Sequence, residues 1–182
     1  MITHDEAKKN YQVNPTVKAM IDDIQAKYKA ESFKVVIDNS PVKLSGDRMD
    51  VRVRETNLGN AVADALLDYG QSDFTHKSNL AVTNGGGLRE TIAKDKPITK
   101  GDIIAVLGNS VAQIQVTGQN IYDMFVKSLG SILQVNESGK NVFDENGQPL
   151  LEPSGGFLQV AGARVYYDTT LPTEKRILSI DI

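Results

Sequence analysis

Two short segments carry the residue types that could bind an anion, and the first reads TNGGGLRET. In this segment, residues 83–91, a run of three glycines lies between Asn84 and Arg89. Glycine lets another atom approach the backbone, free amides in such a turn cradle anions, and arginine binds phosphate through paired hydrogen bonds. The spacing matches neither a P-loop nor a dinucleotide fingerprint. A strand-ending turn with a solvated arginine is the other interpretation, and the pattern alone does not separate the two.

The second segment, VRVRETNLGN at residues 51–60, places Arg52 and Arg54 two residues apart. In an extended backbone both guanidinium groups project from one face, where they repel each other unless an anion lies between them. The alternative is the charged face of an edge strand, with Arg54 paired to Glu55. Asn57 is a candidate cap for the helix that follows.

Helices and strands of mixed order must position these segments. Asn14-Pro15 predicts the start of a helix over about residues 15–30, and the helix in TNLGNAVADALLDYG is expected to end at Gly70. A third helix, GQNIYDMFVKSLGSIL, begins at Thr117-Gly118. The predicted strands are NLAVTN, DIIAVL and AQIQVTG around the turn GNS, the pair FLQVAGARVYYDTT bent at Gly162, and RILSIDI. We expect an α/β (α+β) fold, a mixed β-sheet with packed helices.

Composition excludes several classes of protein. A net charge of -3 argues against a nucleic-acid binder, and no apolar run approaches the length of a membrane span. The absence of cysteine and the presence of only two histidines leave no metal centre of thiolates or imidazoles. The carboxylates of Asp22, Asp23, Asp50 and Asp102 are interpreted as solvated or helix-capping groups, and no catalytic or metal-binding residue is predicted.

Six stretches occur in an order that resembles a known family: RVRETNLGNAVADAL, AVTNGGGLRETI, ITKGDIIAVL, QVTGQNIYDMF, GGFLQVAGARVYYD and RILSIDI. They resemble the C-terminal domain of the 5′-nucleotidases, a family that includes UDP-sugar hydrolases and 2′,3′-cyclic-nucleotide phosphodiesterases. The resemblance covers about residues 49–182. It implies a substrate-binding domain at residues 33–182, incomplete at its C-terminal end, and an interdomain-type helical arm at residues 1–32.

The resemblance assigns roles to individual residues. It implies that Arg52 and Arg89 bind the phosphate and that Asn84 contacts the nucleotide. It also implies that Gly86 and Gly87 give the base close backbone access and that Asn109 lines the base pocket.

Two departures from the family weaken the expected nucleotide site. The family usually has PFGN where this chain reads AVLGN, so Leu107 lies near the position of a phenylalanine that stacks on the base. The family also continues to a helix and a segment like FLANGGDGF, whose aromatic residue and aspartate contact the nucleoside, whereas this chain ends at Ile182. We therefore expect weak nucleotide affinity. Tyr166, Tyr167 and Phe157 are interpreted as core or sheet residues.

The resemblance also implies partners and a location. Family members carry an N-terminal metallophosphoesterase domain with two divalent metal ions, which activates water, so the isolated chain is expected to be inactive. Their location is extracellular, cell-wall or periplasmic. The helical arm is expected to pack on its own domain or on a second copy, giving a homodimer. The alternative function is a stand-alone, degenerate binding or interaction module that has lost nucleotide hydrolysis.

Overall fold

A computed structural model describes residues 13–108 and 110–182, in which helices alternate with short antiparallel strands. The helices are α1 (Pro15–Ser32), α2 (Asn57–Ser72), α3 (Lys100–Val106) and α4 (Gly118–Ser128), with a 3₁₀ turn at Thr173–Lys175. The strands are β1 (Val35–Ile37), β2 (Ala81–Asn84), β3 (Ile98–Thr99), β4 (Leu158–Ala161), β5 (Arg164–Tyr167) and β6 (Ile177–Asp181). The predicted α/β (α+β) class is confirmed, with small antiparallel sheets in place of one mixed sheet.

The β-structure of the described residues consists of three two-stranded antiparallel sheets, β1–β3, β2–β4 and β5–β6. The strand pair around Gly162 and the last strand form as predicted, and Gly162 turns between β4 and β5 with φ of 80°. In the β2–β4 sheet Thr83 lies opposite Gln159 and Asn84 lies opposite Leu158. This register brings the end of β2, where the glycine run starts, beside the start of β4.

Side-chain caps define where the four helices begin. The Asn14 carboxamide oxygen accepts from the amides of Thr16 and Val17 at 3.0 and 3.2 Å, as the sequence predicts. Helix α4 begins after Thr117, also as predicted. Helix α2 is capped by Thr56, so the assignment of that cap to Asn57 was wrong.

The residues at the two ends of α2 have other contacts than expected. The side chain of Asn57 reaches outward to the backbone of Lys43 and Ser45. Gly70 does not end the helix, which continues to Ser72. A methyl group on Gly70 would lie 2.5 Å from the hydroxyl oxygen of Ser78, so the glycine admits that neighbouring loop.

The stretch DIIAVL forms helix α3, so its prediction as a strand was wrong. Asp102 accepts from the Thr99 amide at 2.8 Å while Thr99 accepts from the Asp102 amide at 3.2 Å, a reciprocal cap that favours a helix. Hydrogen bonds from the Thr99 side chain and backbone hold the pKa of Asp102 below its usual value. The cap therefore contributes stability at neutral pH, and the contribution is lost as the pH falls through that lowered pKa. Residues 110–117 form no strand, unlike the predicted strand AQIQVTG.

Two buried clusters form the core of the described residues. The first consists of Val51, Leu58, Leu88 and Val106, and the second of Leu129, Leu151 and Phe157. Phe157 is a core residue, as expected. The carboxylates interpreted as solvated or capping groups have such roles: Asp22, Asp23 and Asp50 pair with Lys18, Lys27 and Arg54, and Asp102 caps α3.

Helix α1 leaves its apolar stripe uncovered. None of its residues is buried, and Met20 and Ile24 are 62% and 65% exposed. Its C-terminal end contacts α3, where Lys100 donates to Glu31 at 2.8 Å. Among the described residues, packing of α1 on the domain is thus limited to this end of the helix. Residues 1–12 of the predicted arm lie outside the described chain, and the homodimer remains a prediction. No helix among the described residues is long and apolar enough to cross a membrane.

Arg176 is a buried arginine that donates hydrogen bonds to backbone carbonyl groups beside the second cluster. It is 6% exposed and donates to the carbonyl oxygens of Leu129, Leu171 and Ser131, the last at 2.6 Å. Methionine is apolar and unbranched and donates no hydrogen bond, so these carbonyls would lose their partner. We expect Arg176→Met to lower the free energy of unfolding by about 3 kcal/mol in urea denaturation. The exposed Arg164→Met is the control, with an expected change within about 0.5 kcal/mol. Equal effects of both substitutions would contradict this role for Arg176.

Candidate anion-binding site

The segment that carries Arg52 is a compact turn, so its prediction as an extended strand was wrong. The amides of Val51 and Arg54 donate to the carbonyls of Asp47 and Asp50 at 3.0 and 3.1 Å, which coils residues 47–54. In this turn, alternation does not place Arg52 and Arg54 on one face. Arg54 pairs with Asp50 at 2.6 Å rather than with Glu55, so its charge is already neutralised. We call residues 47–54 the arginine turn.

Arg52 differs from Arg54 in having no carboxylate partner among the described residues. Its side chain is half-buried, and its Nε atom is buried without a hydrogen-bond acceptor. A buried donor normally finds a partner, and leaving a charged one unpaired costs free energy. An anion placed against Arg52 would remove that cost.

The glycine loop, residues 84–87, uses its amides inside the protein. Gly85 donates to Phe157 at 2.7 Å, Gly86 to Gly155 at 3.0 Å, and Gly87 to Asn84 at 2.8 Å. The predicted cradle of free glycine amides is therefore not available in this arrangement. An anion bound at this loop would find these three amides already occupied, which increases the importance of the arginines.

The glycines instead allow chain segments to approach each other. A methyl group on Gly85 would lie 2.0 Å from the carbonyl oxygen of Val51, and one on Gly86 would lie 3.0 Å from that of Gly155. None of these loop glycines is among the positive-φ residues of the described chain. Close packing of the glycine loop against the arginine turn and residues 154–157 thus explains why Gly85 and Gly86 lack side chains.

The two candidate phosphate ligands extend from neighbouring points of one core cluster. Val51 precedes Arg52 and Leu88 precedes Arg89, and these two apolar residues pack in the same buried cluster, 0% and 4% exposed. The Arg89 amide donates to the carbonyl of Val106 at 3.3 Å, while the Arg89 residue itself is exposed. The residues that precede Arg52 and Arg89 therefore share one buried cluster, although the two arginines are distant in sequence.

The remaining predicted residues have less defined positions. Asn84 is exposed and donates its side-chain amide to Gly155 at 2.7 Å, which leaves its carboxamide oxygen available as an acceptor. Asn109 lies outside the described residues. Leu107 packs, partly buried, against the first core cluster.

Two cavities lie elsewhere on the described surface. One of about 370 Å³ lies beside Glu55, Tyr166 and Tyr167, and one of about 770 Å³ lies between α2, α4 and residues 111–116. Neither is lined by Arg52, Asn84 or Arg89. The described residues also include no group of three or more histidine, cysteine, aspartate or glutamate residues that could hold a metal ion.

Gln159 is the residue of this region that sequence reasoning missed. It is 1% exposed in β4 and contacts the arginine turn and Thr56 through its carboxamide. Half-buried and buried residues alternate along strand β4, and Gln159 occupies a buried position. Glutamine is rarely buried, so its place in this alternation was the sequence signal that could have identified it.

Comparison with known proteins identifies the family. Residues 35–182 match the family described as "5'-nucleotidase, C-terminal domain". The chain belongs to this family. It is 29% identical over 185 residues to the trifunctional nucleotide phosphoesterase protein YfkN of Bacillus subtilis, covering 96% of this chain. It is 25% identical over 177 residues to human 5'-nucleotidase, covering 93% of this chain.

A solved structure agrees with these relatives. The 5'-nucleotidase precursor from Thermus thermophilus superimposes over 91% of this chain with a TM-score of 0.63 and 29% identity. The chain spans 11% of the Bacillus protein, 28% of the human protein and 28% of the Thermus chain. The relatives are phosphoesterases and nucleotidases by name, and this chain matches the C-terminal domain of such enzymes.

The contact between Gly85 and Val51 gives a stability prediction. A Gly85→Ala methyl group would collide with backbone rather than with a flexible side chain. We expect a loss of about 3 kcal/mol in the free energy of unfolding, measured by chemical denaturation. Gly118→Ala, where a methyl group meets nothing within 4 Å, is the control and should unfold no more easily than the unchanged protein. A Gly85→Ala protein as stable as this control would refute the close approach.

Proposed function

We propose that this domain recognises the nucleotide substrate of a 5′-nucleotidase-family phosphohydrolase, with Arg52 and Arg89 binding the phosphate. The observation that carries the proposal is the buried, unpartnered Nε of Arg52, beside the glycine loop. The shared cluster of Val51 and Leu88 supports the convergence of the two arginines. The names of the relatives, phosphoesterase and 5'-nucleotidase, supply the ligand class.

Charge explains why a phosphate is the expected ligand. A phosphate dianion accepts several charge-assisted hydrogen bonds, and two planar guanidinium groups from different segments fix both its position and its orientation. Arg54 is less suited because Asp50 already neutralises it. Since the glycine amides are occupied by carbonyl groups of the protein, the arginines supply most of the attraction.

The nucleoside is recognised less strongly in this proposal. Asn84 offers its carboxamide oxygen, Gly86 and Gly87 give the base close access to their backbone, and Asn109 completes the pocket. Leu107 packs on the base without aromatic stacking, which contributes about 0.5–1.5 kcal/mol beyond burial in aromatic pairs. Phosphate contacts therefore dominate the binding free energy.

The activity of the whole protein needs residues that the described chain does not provide. We propose that an N-terminal metallophosphoesterase domain supplies two divalent metal ions and the activated water. The helical arm at residues 1–32 would connect that domain to the substrate domain at residues 33–182. An extracellular, cell-wall or periplasmic location belongs to the same proposal, and one relative is a snake venom 5'-nucleotidase.

Arg52 and Arg89 should determine affinity for AMP. Loss of a charge-assisted hydrogen-bond pair weakens binding by about 10- to 100-fold, so Arg52→Gln and Arg89→Gln should each raise the Kd by this factor in isothermal titration. Because each arginine contacts the phosphate, adenosine should bind the variants and the unchanged protein alike.

Arg164→Gln is the matched control for these titrations, because Arg164 is exposed on β5 and lies outside the proposed site. Its Kd for AMP should equal that of the unchanged protein. AMP affinity that is unaffected by Arg52→Gln and Arg89→Gln would contradict the phosphate site.

The 182-residue chain should not hydrolyse AMP. The described residues include no metal-binding cluster to activate water, so incubation with AMP and Mn²⁺ or Mg²⁺ should release phosphate no faster than buffer alone. A human or bacterial 5'-nucleotidase, assayed in parallel, controls for the substrate and metal. Metal-dependent phosphate release by the purified chain would overturn the division into recognition and catalytic domains.

A further inference from the structure

The carboxamide of Gln159 is fully engaged with the segment around Arg52. Its nitrogen donates to the carbonyl oxygens of Val51 and Arg54 at 3.1 and 2.8 Å. Its oxygen accepts from the amide of Thr56 at 3.0 Å. Both hydrogens of the nitrogen and one lone pair of the oxygen are therefore used, which makes the amide orientation unambiguous.

These contacts bracket Arg52 on both sides. Val51 precedes Arg52 and Arg54 follows two residues later. The side chain of Gln159 therefore binds the backbone on both sides of Arg52. The backbone amide of Ser154 donates to the carbonyl oxygen of Arg52 itself at 3.1 Å. The direction of the Arg52 side chain thus depends on hydrogen bonds that come from β4 and the loop before it.

The contacts also explain the choice of glutamine at a buried position. An apolar side chain would leave the carbonyls of Val51 and Arg54 and the amide of Thr56 to find other partners. A shorter asparagine would not reach all three groups. Gly59 of α2 makes room, because a methyl group there would lie 2.0 Å from the carboxamide oxygen of Gln159.

We propose that Gln159 is a positioning residue for phosphate recognition, which holds the arginine turn so that Arg52 faces the anion. The inference rests on the proposed function and extends it to a residue that is buried and touches no substrate. It assigns a function to the polar residue in the sequence FLQV, because the carboxamide acts through the backbone of residues 51–56.

A double-mutant cycle with AMP as the probe tests this inference. Gln159→Met keeps the length of the side chain and removes all three hydrogen bonds. If Gln159 acts through Arg52, we expect the substitution to weaken AMP binding about tenfold, and to change it less than about twofold in an Arg52→Gln background. A merely structural residue would weaken binding by the same factor in both backgrounds, and that result would overturn the inference.

Hydrogen exchange separates failure of this inference from failure of the proposed function. Without any ligand, Gln159→Met should speed amide exchange within residues 51–56, with exchange in α4 unchanged as an internal control. If Arg52→Gln leaves AMP affinity intact, the proposed phosphate site fails, and the exchange result still decides whether Gln159 positions the turn. Unchanged exchange at residues 51–56 would overturn that positioning.

A second variant covers the case in which Gln159→Met does not fold. Gly59→Ala pushes the carboxamide away while keeping the glutamine, and alanine favours the helix that contains this position. It should reproduce the loss of AMP affinity and the faster exchange at residues 51–56. A Gly59→Ala protein that binds AMP like the unchanged protein would count against Gln159.

Discussion

The approach of the Gly85 backbone to the carbonyl of Val51 is the constraint on which the candidate site depends. At this contact the end of β2 meets the arginine turn with no room for a side chain. The same carbonyl oxygen accepts a hydrogen bond from the carboxamide of Gln159. Arg52 is consequently a residue on a rigid junction between three segments, and its charge is presented from a fixed backbone although its side chain is long.

This junction shifts the chemistry of the site from the backbone to the side chains. A glycine run suggests amides that cradle an anion, but the amides of Gly85 and Gly86 donate to Phe157 and Gly155. The glycines therefore hold the loop in place, and in the proposed site the electrostatic attraction comes from guanidinium groups. Such a site orients a phosphate strongly through planar hydrogen-bond forks, and it depends on the charge of each arginine.

The sequence predicts those elements whose signals are local. The caps at Asn14 and Thr117 and the glycine at 162 define helices and a turn through contacts within a few residues, and the structure has them. DIIAVL was misassigned because a short apolar run has no clear period, while the cap formed by Thr99 and Asp102 decides its conformation. The arginine turn was misassigned for a similar reason, since alternation over four residues also fits a coiled turn.

For the candidate site, too, short sequence patterns suggest the residue types, whereas contacts between distant residues set their surroundings. Residue types suggest an anion ligand and make Arg52, Arg89 and Asn84 candidates, but the environment of these residues is set by distant contacts. The bond between Gln159 and Val51 joins residues separated by 108 positions, and that between Asn84 and Gly155 joins residues separated by 71. No local pattern encodes such pairs. A buried glutamine in an alternating strand indicates that a partner exists, and only the fold identifies it as the backbone that carries Arg52.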